Sequence, residues 1–154
     1  MTDTQITPPA ILSLEDYWPY QMVVLADRIS RSTAAVVKEH ADLNLSQWRV
    51  LAAIAEKPGR TAVEVVQMTP MDKGIVSRAT KALLDLGLVK RQASQADGRV
   101  SHLYMTRKGE RLYQDVLPRV ESVPAEAQAE LSPEDRANLL AMLRKLKAVL
   151  PDPQ

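Results

Sequence analysis

Side chains that can donate hydrogen bonds are concentrated in the middle of the chain. Lys73, Ser77, Arg78 and Lys81 recur at spacings of three and four residues, which places them on one face of a helix. Gly74 lies within the same stretch. Ammonium and guanidinium groups on such a face can bind phosphate oxygens, and arginine can also bind the edges of bases. The residue types and their spacing indicate contact with a polyanion.

A second candidate group lies in QADGRVSHLYMT, which spans Gln95–Thr106. Asp97, Gly98 and Arg99 fall between a helical pattern and an alternating one, so they are predicted to form the turn of a β-hairpin. The Asp97 carboxylate can accept hydrogen bonds that hold this turn and orient Arg99. Because the narrow minor groove of A·T-rich DNA attracts an inserted arginine, the turn is predicted to aim Arg99 at such a groove.

The charge distribution supports a polyanion partner for the middle of the chain. Residues 60–111 contain ten basic and five acidic residues, a net charge of +5. The remainder contains ten basic and fourteen acidic residues, a net charge of −4. A basic middle between acidic flanks favours a polyanion there, although a solvated surface with uneven charge produces the same counts.

The composition excludes several functional classes. The 154 residues contain no cysteine, which removes disulfides, thiolate metal sites and cysteine nucleophiles. His40 and His102 lack metal-ligand spacing, and no phosphate loop, nucleophile elbow or paired-carboxylate motif is present. We therefore predict no catalytic residue, no metal and no cofactor. No apolar run approaches the ~18 residues of a membrane span and no signal peptide is recognisable, which predicts a cytoplasmic protein without membrane contact.

Caps and apolar periodicity predict the elements that position these groups. A first helix is expected from near Pro19 to about Glu39, and a second in NLSQWRVLAAIAEKPG with Ser46 as its N-cap. A Thr61–Glu64 capping box is expected to open a third helix, Ala62–Met68.

The recognition segment follows. A fourth helix is predicted to begin at Thr69–Asp72, with Pro70 in its first turn, and to run to about Leu86, where Gly87 can end it. The next strands are expected in LVKRQ and RVSHLYMT, joined by the polar turn ASQADG.

Two helical segments complete the chain. Thr106 is expected to cap a helix from Arg107 towards Glu130, bent or interrupted by Pro118 and Pro124. Ser132 is expected to cap a last helix, with Pro133 just inside it. The apolar seam of that last helix is Leu139, Leu143, Leu146 and Leu150.

Three helices followed by a hairpin is the order of a winged helix-turn-helix. In that arrangement the fourth helix enters the major groove of DNA, and the hairpin tip lies beside the adjacent minor groove. The predicted fold class is therefore mainly α with a small β-hairpin wing (α+β). One small lobe cannot bury the leucine seam of the flanking helices, which indicates an interface.

At this level of detail the sequence resembles the MarR family of bacterial winged helix-turn-helix transcription regulators. The resemblance rests on LSQWRVLAAI, DKGIVSRATKALLDLGLVKR and DGRVSHLYMTRKG, and it covers about Leu43–Leu112. Their order and spacing match the family's second helix, recognition helix and wing. The wing departs from the frequent Asp-Arg-Arg pattern because Gly98 stands between Asp97 and Arg99, so either one basic contact or one link that supports such a contact is missing.

The resemblance implies one continuous MarR-type domain in three parts. These are an N-terminal arm and dimerisation helix (1–42), a DNA-binding lobe (43–112) and C-terminal dimerisation helices (113–154). It implies a homodimeric regulator, expected to be a repressor, that a small aromatic or anionic ligand releases from a pseudo-palindromic operator. The expected DNA-binding residues are Lys73, Gly74, Ser77, Arg78, Lys81, Asp97 and Arg99.

Candidates for ligand binding each have a simpler interpretation. Trp48 on an apolar helical stripe is favoured as core, and Trp18 as part of the dimer interface. Arg31 and Arg49 could pair with a ligand carboxylate, but solvated helix arginines are favoured, and Tyr113 fits either role. The alternative function is a winged-helix protein-interaction module without DNA binding, which salt-insensitive binding would favour.

Overall fold

The computed structural model describes residues 10–151 of the chain, so the predicted loose arm at Pro8 and Pro9 lies outside the described residues. The described residues are mainly α-helical with one antiparallel hairpin, which confirms the predicted fold class. The elements are α1 (Trp18–Ala41), α2 (Leu45–Glu56), α3 (Ala62–Met68), α4 (Lys73–Asp85), β1 (Val89–Ala93), β2 (Ser101–Met105), α5 (Arg107–Ser122), α6 (Ala125–Ala129) and α7 (Pro133–Val149).

Side-chain caps determine where the helices of the lobe begin. Asn44 Oδ1 accepts the backbone N–H of Gln47 at 2.9 Å, and Gln47 Oε1 accepts the backbone N–H of Asn44 at 2.8 Å. The prediction that Ser46 caps α2 is wrong, because this reciprocal pair starts the helix at Leu45 and leaves Ser46 inside its first turn. The predicted Thr61–Glu64 capping box is confirmed at α3.

The start of α4 also differs from the prediction. Asp72 Oδ1 accepts the backbone N–H of Ile75 at 2.7 Å and caps the helix, which begins at Lys73. Pro70 therefore lies before the helix, not in its first turn, because the carboxylate that can satisfy a free N–H is two residues further on. Gly87 ends this segment with a φ of +68°, in the left-handed region that favours glycine.

Two prolines were predicted to bend or interrupt the helix that follows the wing, and only one of them lies where that helix ends. Thr106 Oγ1 accepts the backbone N–H of Gly109 at 3.1 Å and caps α5, as predicted. Pro118 lies inside α5, whereas Pro124 follows its end and precedes the five-residue α6. The predicted Ser132 cap of α7 is confirmed, with Pro133 at its start.

The buried core belongs to the helices and hairpin of residues 37–116. Elements α2 and α4 supply much of it, and α7 contributes no buried residue. The fully buried apolar side chains are Val37, Leu43, Val50, Leu51, Ile54, Val65, Val76, Leu83, Leu103 and Val116. In the leucine seam of α7, Leu146 is partly buried and the other three leucines are exposed within a single chain. Within residues 10–151, no helix is both long and apolar enough to cross a bilayer.

Candidate nucleic-acid interface

One face of α4 carries exposed donors. The buried side of the helix packs into the core through Val76, Ala79, Thr80 and Leu83. The exposed side carries every residue that the sequence predicts on this helix as a DNA contact: Lys73, Gly74, Ser77, Arg78 and Lys81. The packing of one face therefore leaves the predicted donor set open to a partner.

Gly74 lies against the arginine of this face. A Cβ added at Gly74 would lie 3.2 Å from Asp72 Oδ1 and 3.3 Å from Arg78 Nη1. The guanidinium of Arg78 thus lies over the first turn of α4, near the capping carboxylate, in space that a larger residue would take. This position brings its positive charge to the part of the helix that a winged helix-turn-helix presents to bases.

Lys81 lies one turn further along the same helix. Its Nζ donates to Asp85 Oδ2 at 2.8 Å. Both side chains are largely exposed, so this ion pair adds little to stability. The lysine can exchange the carboxylate for a phosphate at little cost.

Short-range hydrogen bonds hold the wing tip. The backbone N–H of Arg99 donates to Asp97 Oδ1 at 3.0 Å, and the N–H of Val100 donates to the Asp97 carbonyl at 3.0 Å. The N–H of Ser94 donates to the Val100 carbonyl at 2.8 Å, which closes the loop. The carboxylate of Asp97 therefore fixes the backbone from which the exposed Arg99 side chain leaves.

The base of the wing is joined to the connection between α2 and α3. The N–H of Gly59 donates to the Leu103 carbonyl at 2.8 Å, and the N–H of Leu103 donates to the Arg60 carbonyl at 2.9 Å. The ring of His102 adds a side-chain contact, with Nδ1 2.7 Å from the Gly59 carbonyl oxygen. The sequence gives no indication of this bond, because the partners are 43 residues apart and no local pattern links them.

A groove separates the wing from the start of α3. It encloses about 500 Å³, and both Arg91 and Arg99 line it, opposite Thr61 and Val63. Sequence reasoning did not select Arg91. The one indication was the position of Arg91 in the alternating strand β1. Arg91 pairs with buried Leu103 and therefore lies on the inner face of the wing.

Three of the candidate ligand residues meet at one cavity. The rings of Trp48 and Tyr113 are stacked, with centroids 5.1 Å apart and an interplanar angle of 17°. Together with Arg49 they line a cavity of about 460 Å³. Arg49 Nη2 donates to Ser30 Oγ at 3.2 Å. Burial, followed by the negative charges of Glu121 and Glu56, raises the pKa of Tyr113 above its usual value.

The other two candidates lie elsewhere. Trp18 is half-exposed and lines a separate cavity of about 530 Å³ with apolar residues of α7. Arg31 Nε pairs with Asp27 Oδ2 at 2.9 Å on the exposed side of α1, and it lines neither cavity. The two cavities share the connection between α3 and α4, residues 68–70. Within residues 10–151, no group of three or more histidines or carboxylates could hold a metal ion.

Comparison with known proteins shows which family this chain resembles. Residues 41–100 match the model of the MarR family. The transcriptional regulator HosA of Escherichia coli is 29% identical over 122 residues, which cover 79% of this chain and 90% of HosA.

Two solved structures share the fold. Sco3205, a MarR family transcriptional regulator from Streptomyces coelicolor solved in complex with DNA, superposes with a TM-score of 0.79 at 19% identity, over 94% of this chain and 93% of its own. Bordetella bronchiseptica BpsR, whose DNA binding is regulated by 6-hydroxynicotinic acid, superposes with a TM-score of 0.78 at 20% identity, over 90% of this chain and 98% of its own.

Proposed function

We propose that the chain, which matches the MarR family model over residues 41–100 and resembles the transcriptional regulator HosA, is a MarR-type homodimeric repressor that binds a pseudo-palindromic operator in duplex DNA. The observation that carries this proposal is the placement of two separate donor groups on one lobe. An exposed donor face on α4 stands beside a wing whose turn is held by Asp97 and ends in Arg99. The solved complex of Sco3205 with DNA supports the same use of the shared fold.

Each donor group has a distinct role in this proposal. Lys73, Ser77, Arg78 and Lys81 contact bases and phosphates in the major groove. Arg99 enters the adjacent minor groove, where negative potential attracts it. Gly74 leaves room for Arg78 near the first turn. A regulator of this kind acts where the chromosome lies, in the cytoplasm.

The dimer follows from apolar surface that one chain leaves exposed. Val23 and Ile29 of α1 are 64% and 44% exposed, and Leu140 and Met142 of α7 are 48% and 56% exposed. Burying such surface against a second copy removes it from water. In this arrangement residues 1–42 and 113–154 form the dimer and residues 43–112 form the DNA-binding lobe. Two lobes then meet half-sites about 34 Å apart on one side of the duplex.

The effector in this proposal is a small aromatic or phenolic anion bound between the helices and the lobe. The cavity beside Trp48 and Tyr113 offers aromatic rings, and the guanidinium of Arg49 offers a partner for a carboxylate. Arg49 forms no ion pair with a carboxylate of the described residues. A bound anion favours a spacing of the two lobes that no longer fits successive grooves, and DNA is released.

The first test is selection of fragments of the host genome by the purified protein at two salt concentrations. We expect recovery of a pseudo-palindrome upstream of a few genes. The affinity for that site is expected to fall steeply with salt, because phosphate contacts release counterions. A matched chain in which Lys73 and Arg78 are both replaced by alanine is expected to recover no site.

Two outcomes would contradict the regulator. Recovery of no fragment above background at either salt concentration favours the protein-interaction module. An affinity for the recovered fragments that salt does not change contradicts the phosphate contacts on which the proposal rests. Neither result depends on whether the chain has an effector.

The effector is tested with 6-hydroxynicotinic acid, the compound that regulates DNA binding by BpsR. We expect this aromatic carboxylate or a close analogue to bind in titration calorimetry and to release the operator. The Arg49→Met variant keeps the apolar stem and is expected to bind the anion at least about tenfold more weakly, because a charged hydrogen bond is lost. Arg31→Met is the matched control and should not change binding; equal binding by all three proteins contradicts this site.

A further inference from the structure

We propose that His102 is a wing-positioning residue, which sets the reach of Arg99 by tying the wing to the connection between α2 and α3. The proposal rests on the proposed function at one point, the use of Arg99 in DNA binding. It assigns His102 no contact with DNA.

The wing needs such a contact because its two short strands give it little stability of their own. It consists of two five-residue strands, and an isolated two-stranded hairpin is at best marginally stable. Only the first residue of β1 and the middle residue of β2 are buried. Beyond them the ribbon can tilt as a unit, so its angle depends on contacts at its base.

His102 supplies one of these contacts on the side nearer the tip. The backbone bonds to the α2–α3 connection are made by Leu103, whose side chain is buried. His102 is the next residue towards the tip, and its Nδ1 lies 2.7 Å from the Gly59 carbonyl oxygen. Two adjacent residues of β2 therefore hold the same short segment. The histidine adds a third hydrogen bond, nearer the tip, to the two backbone bonds of Leu103, and so it further restrains the tilt.

The segment that His102 grips is itself fixed. Gly59 has a φ of +88°, a conformation that only glycine adopts without strain. The next residue, Arg60, has a side chain only 15% exposed. Its Nη1 donates to the carbonyl of Ala53 at 2.7 Å and to Glu56 Oε2 at 2.6 Å, both on α2. Through this segment, His102 relates the wing to the helix that packs against α4.

The hydrogen bond between His102 and Gly59 also allows a positioning role of His102 to be distinguished from a contact made by its charge. The Gly59 carbonyl is only an acceptor, so Nδ1 must carry the proton. Both the neutral ring and the imidazolium can donate it, and the tie therefore does not need a positive charge. An uncharged residue that places an N–H near the position of Nδ1 should replace His102. Asparagine is such a residue, whereas alanine is not.

The experiment is a double-mutant cycle on operator affinity with wild type, His102→Ala, Arg99→Ala and the double variant. We expect His102→Ala to weaken binding about 3- to 10-fold, the effect of one lost hydrogen bond. In the Arg99→Ala background it should change affinity less than about twofold, because no side chain is left to position. His102→Asn is expected to restore most of the affinity. His40→Ala, in the other histidine of the chain, is the control and should bind normally.

Several results would overturn the proposal. An equal loss from His102→Ala in both backgrounds shows a role independent of Arg99, such as a phosphate contact or general stability. The absence of rescue by asparagine, or an unchanged affinity of His102→Ala, has the same consequence. If the alanine variant does not fold, His102→Gln replaces it, since its N–H lies one bond further out and is expected to lose affinity. If the wild type does not bind DNA, the proposed regulator itself is contradicted. If Arg99→Ala binds the operator as tightly as wild type, the proposed contact of the wing with DNA is contradicted.

Discussion

Single residues at the wing tip are positioned by bonds that span very few residues. Asp97 accepts the backbone N–H of Arg99, two residues away. Such a contact depends on the types of adjacent residues, and an aspartate two positions before an arginine in a turn is visible in the sequence. The wing tip therefore delivers one guanidinium from a backbone that the chain itself stabilises.

Arg99→Ala is expected to weaken operator binding by about 1–3 kcal/mol and to leave the dimer intact, because one groove contact is lost without any change in the core. The measurement is an electrophoretic mobility-shift titration of the selected site. Arg119→Ala is the matched control, since Arg119 is an exposed arginine of α5 that lies outside the DNA-binding lobe. Operator affinity equal to wild type in the Arg99 variant removes the proposed contact.

Asp97 and His102 differ in how far their roles can be predicted from the sequence. The role of Asp97 can be predicted because its partners are close to it in the sequence. The role of His102 arises from a carbonyl 43 residues away, on a connection whose path depends on the packing of α2 and α3. Arg49 and Tyr113 were likewise named separately, but only packing brings them to one cavity.

At the scale of elements, α5 approaches the residue that precedes β1 more closely than any side chain would allow. Gly109, in the first turn of α5, is buried, and an added Cβ would lie 2.1 Å from the Leu88 carbonyl oxygen. That oxygen also accepts the backbone N–H of Thr106 at 3.0 Å. The junction between the wing and the C-terminal helices is therefore backbone against backbone.

Gly109→Ala is expected to destabilise the protein by at least about 2 kcal/mol, because the carbonyl cannot move without loss of its hydrogen bond to Thr106. Urea unfolding followed by circular dichroism measures the change. Gly98→Ala is the matched control: a Cβ at Gly98 meets no atom within 4 Å, so stability should be unchanged. Equal midpoints for the two variants would show that the junction is not tight.

Helix starts show where local patterns mislead. Ser46 and Asn44 are both residues that favour an N-cap. Asn44 is the N-cap because Gln47 lies three positions after it, and the Gln47 side chain accepts a hydrogen bond from the backbone N–H of Asn44. At α4, Pro70 suits a first turn, but Asp72 satisfies the free N–H of Ile75. The type and order of the elements were predictable, since these depend on longer patterns, whereas the sequence predicted one bent or interrupted helix where the structure has both α5 and α6.

For the whole molecule, the exposed apolar surfaces of α1 and α7 are the main feature that one chain cannot account for. The lobe buries its own core, whereas Leu143 of α7 is 38% exposed. The leucine seam at periodic positions was visible in the sequence, but which surface covers it is a property of an assembly.

Leu143→Asp is expected to shift the protein from the proposed dimer to a monomer, because a charge would have to be buried in an apolar interface. Analytical ultracentrifugation across a concentration series measures the change. The matched control is Leu86→Asp: Leu86 is 45% exposed at the end of α4, outside the proposed interface. A Leu143→Asp protein that sediments like wild type would contradict the dimer interface on α7.

The placement of the two tryptophans has a practical consequence. Trp48 is 5% exposed inside the lobe, whereas Trp18 is 50% exposed at the start of α1. A buried indole emits at shorter wavelength than a hydrated one, so a single chain is expected to emit as the sum of a Trp48 component and a longer-wavelength Trp18 component. Burial of Trp18 in the proposed dimer would shift its component to shorter wavelength. Replacing either ring by phenylalanine leaves a single optical reporter. One variant then follows the interior beside Tyr113, the other follows the start of the first helix, and no external dye is needed for either.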